Sequence, residues 1–194
     1  MKKISVLTAL VAVMFASGCA HMINITPPAN TISAEGITKI DKTVGYYISK
    51  EQRALLVTSK GGGGDKVTYH PYAELEPTLN QVLSNSYTKV IALAAINDKA
   101  ELESKQIAYV FAPVITTTSS SSSALTWPPT NFTVTIACTA ANGTGANVLN
   151  STVTGSGEAV FADFKHDFSL AARRASKDAF NQLQKGIVAA PSLK

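Results

Sequence analysis

The chain has 194 residues, 45% hydrophobic and 15% charged, and its 17 basic and 13 acidic side chains give a formal charge of +4. That length and apolar content suit one domain with its own core, so neither disulfides nor a structural metal is required for folding. The positive excess is small and unclustered, which excludes a dedicated nucleic-acid binder, whose basic residues would form a concentrated stripe.

Lys2 and Lys3 open the chain, an apolar stretch follows over Ile4 to Phe15, and the small residues Ala16, Ser17 and Gly18 lead into Cys19. Positive, apolar and small-residue regions in that order make a secretory leader. The apolar stretch is shorter than the roughly 20 residues a membrane span needs. The ending resembles a bacterial lipobox, in which the cysteine becomes the acylated first residue of the mature protein; Ala16 stands where such boxes usually carry Leu. The resemblance makes Cys19 the lipidation site, carrying palmitate-type chains. Several acyl chains anchor firmly where a single one binds only marginally. By the same resemblance to Gram-negative lipoproteins, Ala20 in place of Asp after the cysteine implies sorting to the outer membrane, on its periplasmic face. Removing the leader takes away Lys2 and Lys3, so part of the positive charge belongs to targeting.

The expected organisation is a signal peptide over 1–18, a lipidated N-terminus and tether over 19–36, and a single domain over 37–194. Pro27 and Pro28 allow the tether at most an edge strand. The β-branched and aromatic run Thr43 to Ser49 predicts a strand, and a second short one is expected over Ala54 to Ser59. Gly61 to Gly64 with Asp65 predicts a flexible turn, across which Lys66 to Tyr69 pairs back. Leu75, Leu79, Val82 and Leu83 recur at helical spacing, so a helix is expected over 71–87, regular from about Glu74 because Pro77 belongs in a first turn. Glu74 and Glu76 sit at its favourable, positive end. Val90 to Ile96 shows no alternation and predicts a strand buried on both faces. Ile107 to Thr118 predicts a strand interrupted by Pro113, and the serine run at 119–123 leads to a low-complexity hairpin tip carrying Trp127. Asn131 to Ala141 alternates cleanly, with Phe132, Val134, Ile136, Cys138 and Ala140 on one face; it is the clearest strand in the chain. Val148 to Phe161 returns, with Gly155 and Gly157 suggesting a bulge. A closing helix is expected from Asp167 as N-cap to Lys185, with Gly186 just beyond its end and Arg174 paired to Asp178. The sum is an α+β fold, an antiparallel sheet with two amphipathic helices packed on one face.

This order of elements resembles small Gram-negative outer-membrane lipoproteins of the YajG-like type. The likeness is carried by Gly155-Ser156-Gly157-Glu158-Ala159-Val160-Phe161, then Leu170-Ala171-Ala172-Arg173-Arg174-Ala175 and Asp178-Ala179. The architecture also resembles the lipopolysaccharide-assembly lipoprotein, whose helices pack on one side of a sheet. Neither family contributes a site residue.

The chemistry-bearing residues form no recognised constellation. The glycine run lacks the spaced glycines and Lys-Ser/Thr of a phosphate loop. His70 and His166 have no companions at metal-ligand spacing. No nucleophile elbow occurs, since Gly155-Ser156-Gly157 is too short and lies in a strand. Cys138, on an apolar face, is expected to be a buried free thiol. No catalytic residue, metal or cofactor is therefore expected. The candidate partner contacts are Trp127 and Leu125 at the hairpin tip, and Arg173, Arg174 and Lys177 on the closing helix, the latter able to meet anionic headgroups. The expected function is that of a non-catalytic, lipid-anchored accessory protein binding an envelope protein. A carrier with a ligand or lipid cavity between sheet and helices is the alternative.

Overall fold

The computed structural model describes residues 20–122 and 125–194. The leader and Cys19 lie outside the described residues. Eight strands form two sheets: β1 (Ala20–Met22), β2 (Ile40–Tyr46), β3 (Val57–Lys60), β4 (Lys66–Tyr69), β5 (Tyr87–Ala92), β6 (Ile107–Ser120), β7 (Asn131–Asn142) and β8 (Asn147–Glu158). The helices are α1 (Lys50–Ala54), α2 (Pro71–Ser86), α3 (Lys99–Ser104), α4 (Phe161–Phe164) and α5 (Leu170–Ala189).

The large sheet has the order β5-β2-β6-β7-β8 and the small one β1-β4-β3. The expected antiparallel sheet is in fact mixed. β6, β7 and β8 form an antiparallel meander. β2, however, runs parallel to both its neighbours, β5 and β6. The reason is connectivity: the chain leaves β2 through α1, the β3–β4 hairpin and α2, and a crossover of that length returns the next strand parallel. β1 also pairs parallel, with β4.

Two long helices do cover one face of the large sheet. Leu75, Leu79, Val82 and Leu83 of α2 and Ala171, Ala175, Ala179, Phe180, Leu183 and Ile187 of α5 are buried in one core with Val44, Tyr46, Phe111, Phe132, Val134 and Ile136 of the sheet. β7 alternates as its sequence requires, every second residue buried from Phe132 to Ala140. The opposite face is polar over β6–β8, with Thr135 and Thr154 hydroxyls 3.0 Å apart across the strands. Nearer β5 that face is covered by a small second cluster of Leu93, Leu102, Ile107 and Val110.

Several local expectations change. α2 begins at Pro71, with Pro77 inside it on an exposed position; a missing N–H is tolerated there because water can satisfy the carbonyl one turn back. β5 is an edge strand starting directly at Tyr87, largely exposed rather than buried on both faces. β6 passes through Pro113 without interruption. The N–H of Ile115, two residues on and pointing the same way, bonds the Tyr72 hydroxyl at 3.0 Å rather than β7, so the proline costs the β6–β7 ladder nothing. α5 starts after Ser169 and continues through Gly186 to Ala189. Asp167 sits just outside it, accepting from the Ser169 N–H at 3.0 Å.

Gly155 and Gly157 make no bulge; both stand in regular register, opposite Val134 and Phe132, and the irregularity lies instead at Ala140/Ala141. Their role is close packing. A Cβ on Gly155 would run into the backbone of Ala175 and Ala179, and one on Gly157 into the backbone of Ala171 and Ala175. The alanine stripe of α5 therefore lies directly on β8. Arg174, Asp178 and Gln182, one turn apart, then reach over the strand's outer edge. Arg174 donates to the Glu158 carbonyl at 2.6 Å, Asp178 accepts from the Ser156 N–H at 3.1 Å, and Gln182 donates to the Thr154 carbonyl at 2.9 Å. These side chains take the place of a further strand and block edge pairing. Arg174 pairs with Asp163 at 3.0 Å, not with Asp178 as its spacing suggested.

Cys138 is buried and free, and burial pushes its thiol up to about 12. A thiolate is the reactive form. Thiol reagents are therefore expected to label Cys138 only on unfolding, at a rate that follows global opening; stoichiometric labelling within minutes of the native protein would contradict this packing.

Candidate functional site

Residues 20–36, the described part of the expected tether, are fastened to the body at several points. Ala20 already pairs with Lys66 in β1, and Ile23, Ile25 and Ile32 are buried in the main core. The Ile25 N–H donates to one Glu74 carboxylate oxygen at 2.7 Å, and the other accepts from the His70 N–H at 2.8 Å. Thr26 Oγ1 donates to the Glu74 carbonyl at 2.8 Å. The alternation of Ile23 and Ile25 was the one sequence signal for this burial.

β1 begins beside the β3–β4 turn, Gly61 to Gly64, which is the hairpin turn its glycines predicted. Gly63 and Gly64 have φ of 63° and 87°, a region glycine occupies without steric cost. The turn leans on the end of β6 and on the segment around Trp127: the Gly62 N–H bonds the Trp127 carbonyl at 2.8 Å. Ser119 Oγ donates to the Lys60 carbonyl at 2.5 Å. Trp127 is no free tip. Its ring stacks on His21, centroids 4.2 Å apart, and meets Phe168 at 4.9 Å. His21 in turn bonds Asp65 at 3.2 Å. The start of the described chain, the glycine turn, the tryptophan and the approach to α5 thus gather at one end of the molecule.

Leu125 lies at the same end and is exposed. It lines a hollow of about 540 Å³ together with Thr130, Glu158, Val160, Phe161 and Phe164. α4 forms the far wall, where Phe161 and Phe164 meet edge to face at 5.7 Å. Phe161 and Val160 are exposed beside it. The sequence placed Val160 and Phe161 in the returning strand and Phe168 on the apolar face of the closing helix, whereas Phe161 opens α4 and Phe168 lies before α5, all three exposed.

The cationic candidates divide. Arg173 is held by Asp167 at 3.3 Å and by the Asn24 carbonyl at 3.3 Å. Arg174 is held by Asp163 and Glu158. Both therefore fasten chain segments to α5; Arg174 and Lys177 are exposed and Arg173 is half-buried. Away from this end, Arg53 grips Glu76 in a two-point contact at 2.7 and 2.8 Å, and Tyr46 donates to the same carboxylate at 3.1 Å. The guanidinium holds the Glu76 carboxyl below the usual glutamate range. A carboxylate whose pKa is depressed by folding stabilises above its unfolded value, about 4.3, and that contribution is lost as the pH falls through the folded one. Glu76→Gln is accordingly expected to flatten the acid limb: between pH 5 and 3 the wild-type urea midpoint falls further than the variant's. Parallel curves would show that the pair is not formed in solution.

Among the described residues no cluster of three or more His, Cys, Asp or Glu side chains could hold a metal ion. No helix among them is long and apolar enough to cross a membrane.

No family model matches the chain, and no curated protein sequence matches it. Solved structures do. A Xanthomonas campestris protein of the DUF330 family is 14% identical, with 89% of this chain and 92% of that one covered and a TM-score of 0.47. The PelC dodecamer from Paraburkholderia phytofirmans is 16% identical over 74% and 92% of the two chains, TM-score 0.35. A candidate lipoprotein from Caulobacter crescentus is 13% identical over 74% and 84%, TM-score 0.35. At these scores no site residue is carried over from them.

Proposed function

We propose that this chain is a non-catalytic accessory protein of the bacterial envelope, anchored by lipid on Cys19 to the periplasmic face of the outer membrane, where it binds an envelope protein. The carrying observation is that Ala20, the residue after Cys19, is already paired in a strand, so a lipid on Cys19 would be joined to the folded body without a tether. A lipid there fixes the whole domain at a membrane surface and raises its effective concentration toward any membrane partner. The likeness of residues 155–179 to YajG-like lipoproteins agrees with this reading. The carrier alternative needs space between the layers, and at α5 that space is closed by Gly155 and Gly157 lying on helix backbone. Cys19→Ser is expected to move the protein from the membrane fraction of fractionated cells to the soluble periplasm. Retention in the membrane fraction would refute the anchor. Crosslinking in intact cells, then extraction and mass spectrometry, is expected to recover one stoichiometric envelope protein; recovery of lipid alone would favour the carrier.

A further inference from the structure

We infer that the end of the domain bearing Leu125, Val160, Phe161 and Phe168 is a lipid-binding surface that seats in the headgroup–acyl boundary of a phospholipid bilayer. This rests on the lipid anchor proposed above and assigns that end of the molecule a second, protein-borne membrane contact.

Four observations carry it. Ala20 is already paired with Lys66, so one peptide link, about 3.8 Å between Cα atoms, separates Cys19 from the folded body. An acylated Cys19 therefore presses this end against the headgroups. Second, four of the nine large apolar side chains exposed among the described residues lie here: Leu125 is 96% exposed, Phe161 65%, Val160 63% and Phe168 48%. Leu125, Val160 and Phe161 flank one hollow, and Phe168 joins them through Trp127. Grouped exposed apolar residues mark a contact surface, whereas single ones need no explanation. Third, Trp127 and His21 stack at the same place, and rings with one apolar and one polar edge suit the membrane–water boundary.

The fourth observation is charge. Asp65, Asp163 and Asp167 are paired internally with His21, Arg174 and Arg173. Lys60, Lys66 and Lys165 are exposed. Because His21 is neutral at pH 7, Asp65 and Glu158 at the hollow are the two carboxylates set against these three lysines, which leaves the end positive by one charge. Lysines beside an apolar patch attract anionic headgroups while the patch enters the boundary, a burial of roughly 5–10 Å in interfacial elements. The acyl region and the anionic headgroups of one leaflet meet the apolar and the cationic halves of this surface at once.

Cys138 is buried, so an introduced surface cysteine can be labelled alone. Leu125→Cys is compared with Thr144→Cys, which lies in the β7–β8 turn at the other end of β7. That is about 35 Å away at roughly 3.4 Å per residue. Each mature lipoprotein carries a polarity-sensitive fluorophore and is reconstituted on vesicles of phosphatidylethanolamine and phosphatidylglycerol with brominated acyl chains. The expected result is a blue-shifted Leu125 probe quenched at least threefold more than the Thr144 probe. Adding Phe161→Ser, at an exposed position, is expected to reduce that quenching while the circular dichroism stays native. Equal quenching at both positions, with the protein still floating with the vesicles, would overturn the surface while sparing the anchor. Failure to float at all would overturn the anchor, and the surface with it.

Discussion

Gly157→Val is expected to destabilise the domain by at least about 3 kcal/mol, at the upper end of the range for overpacking a tight interior. A Cβ at Gly157 meets the Ala171 carbonyl and the Ala175 N–H, and Arg174 Cβ at 2.9 Å. The obstructing atoms are helix backbone, so no rotamer change relieves them. α5 must move off β8, and its movement also pulls Arg174, Asp178 and Gln182 away from the strand edge they cover. Against a typical total of 5–15 kcal/mol, that is a large share of the stability. Gly155→Val should behave alike, since its Cβ meets Ala175 and Ala179 backbone. Gly143→Ala is the control: nothing lies within 4 Å of its Cβ, and a change below about 0.5 kcal/mol is expected. Urea unfolding followed by circular dichroism measures all three. A Gly157→Val midpoint equal to wild type would mean that helix and strand do not touch as described.

Glu74→Ala is expected to cost about 2–4 kcal/mol. Its carboxylate accepts two backbone N–H groups that belong to different parts of the chain, Ile25 in the N-terminal segment and His70 at the start of α2. Ile25 is fully buried, so removing its acceptor leaves a donor that water cannot reach, at roughly 1–3 kcal/mol per unsatisfied group. His70 also lacks a side-chain cap of its own, so the first turn of α2 depends on the same carboxylate. Glu74→Gln retains one carbonyl oxygen and should lose about half as much. Amide exchange gives the sharper test: the Ile25 N–H should exchange faster in Glu74→Ala out of proportion to the global loss. A proportionate change would assign Glu74 to α2 alone.

The alternation of β7, the stripe of α2, the glycine turn and the existence of a closing helix were legible because each is periodic or compositional. Periodicity reports which face is buried. It does not report what lies on that face, which is why Gly155 and Gly157 suggested a bulge when they are the floor on which α5 rests. Arg174 had Asp178 at helical spacing, yet Asp163 and the Glu158 carbonyl hold it, because Asp178 is engaged by the Ser156 N–H and Gln182. Trp127 was legible as an unusual residue in a polar loop but not as a ring held between His21 and Phe168, residues 106 and 41 positions away in the chain.

From the sequence by itself came the α+β class, the paired helices on one face and the buried thiol at Cys138. All of these depend on local order or on the 2.0 and 3.6 residue periods. Tertiary structure alone decided the parallel pairing of β2, the second small sheet, the capture of the Ile25 N–H by Glu74, and the gathering of Leu125, Trp127, Val160, Phe161 and Phe168 beside Ala20. Those features join segments far apart in the chain, and strand direction and long-range contact follow from how crossovers close and how close two backbones can approach, quantities that no local pattern encodes.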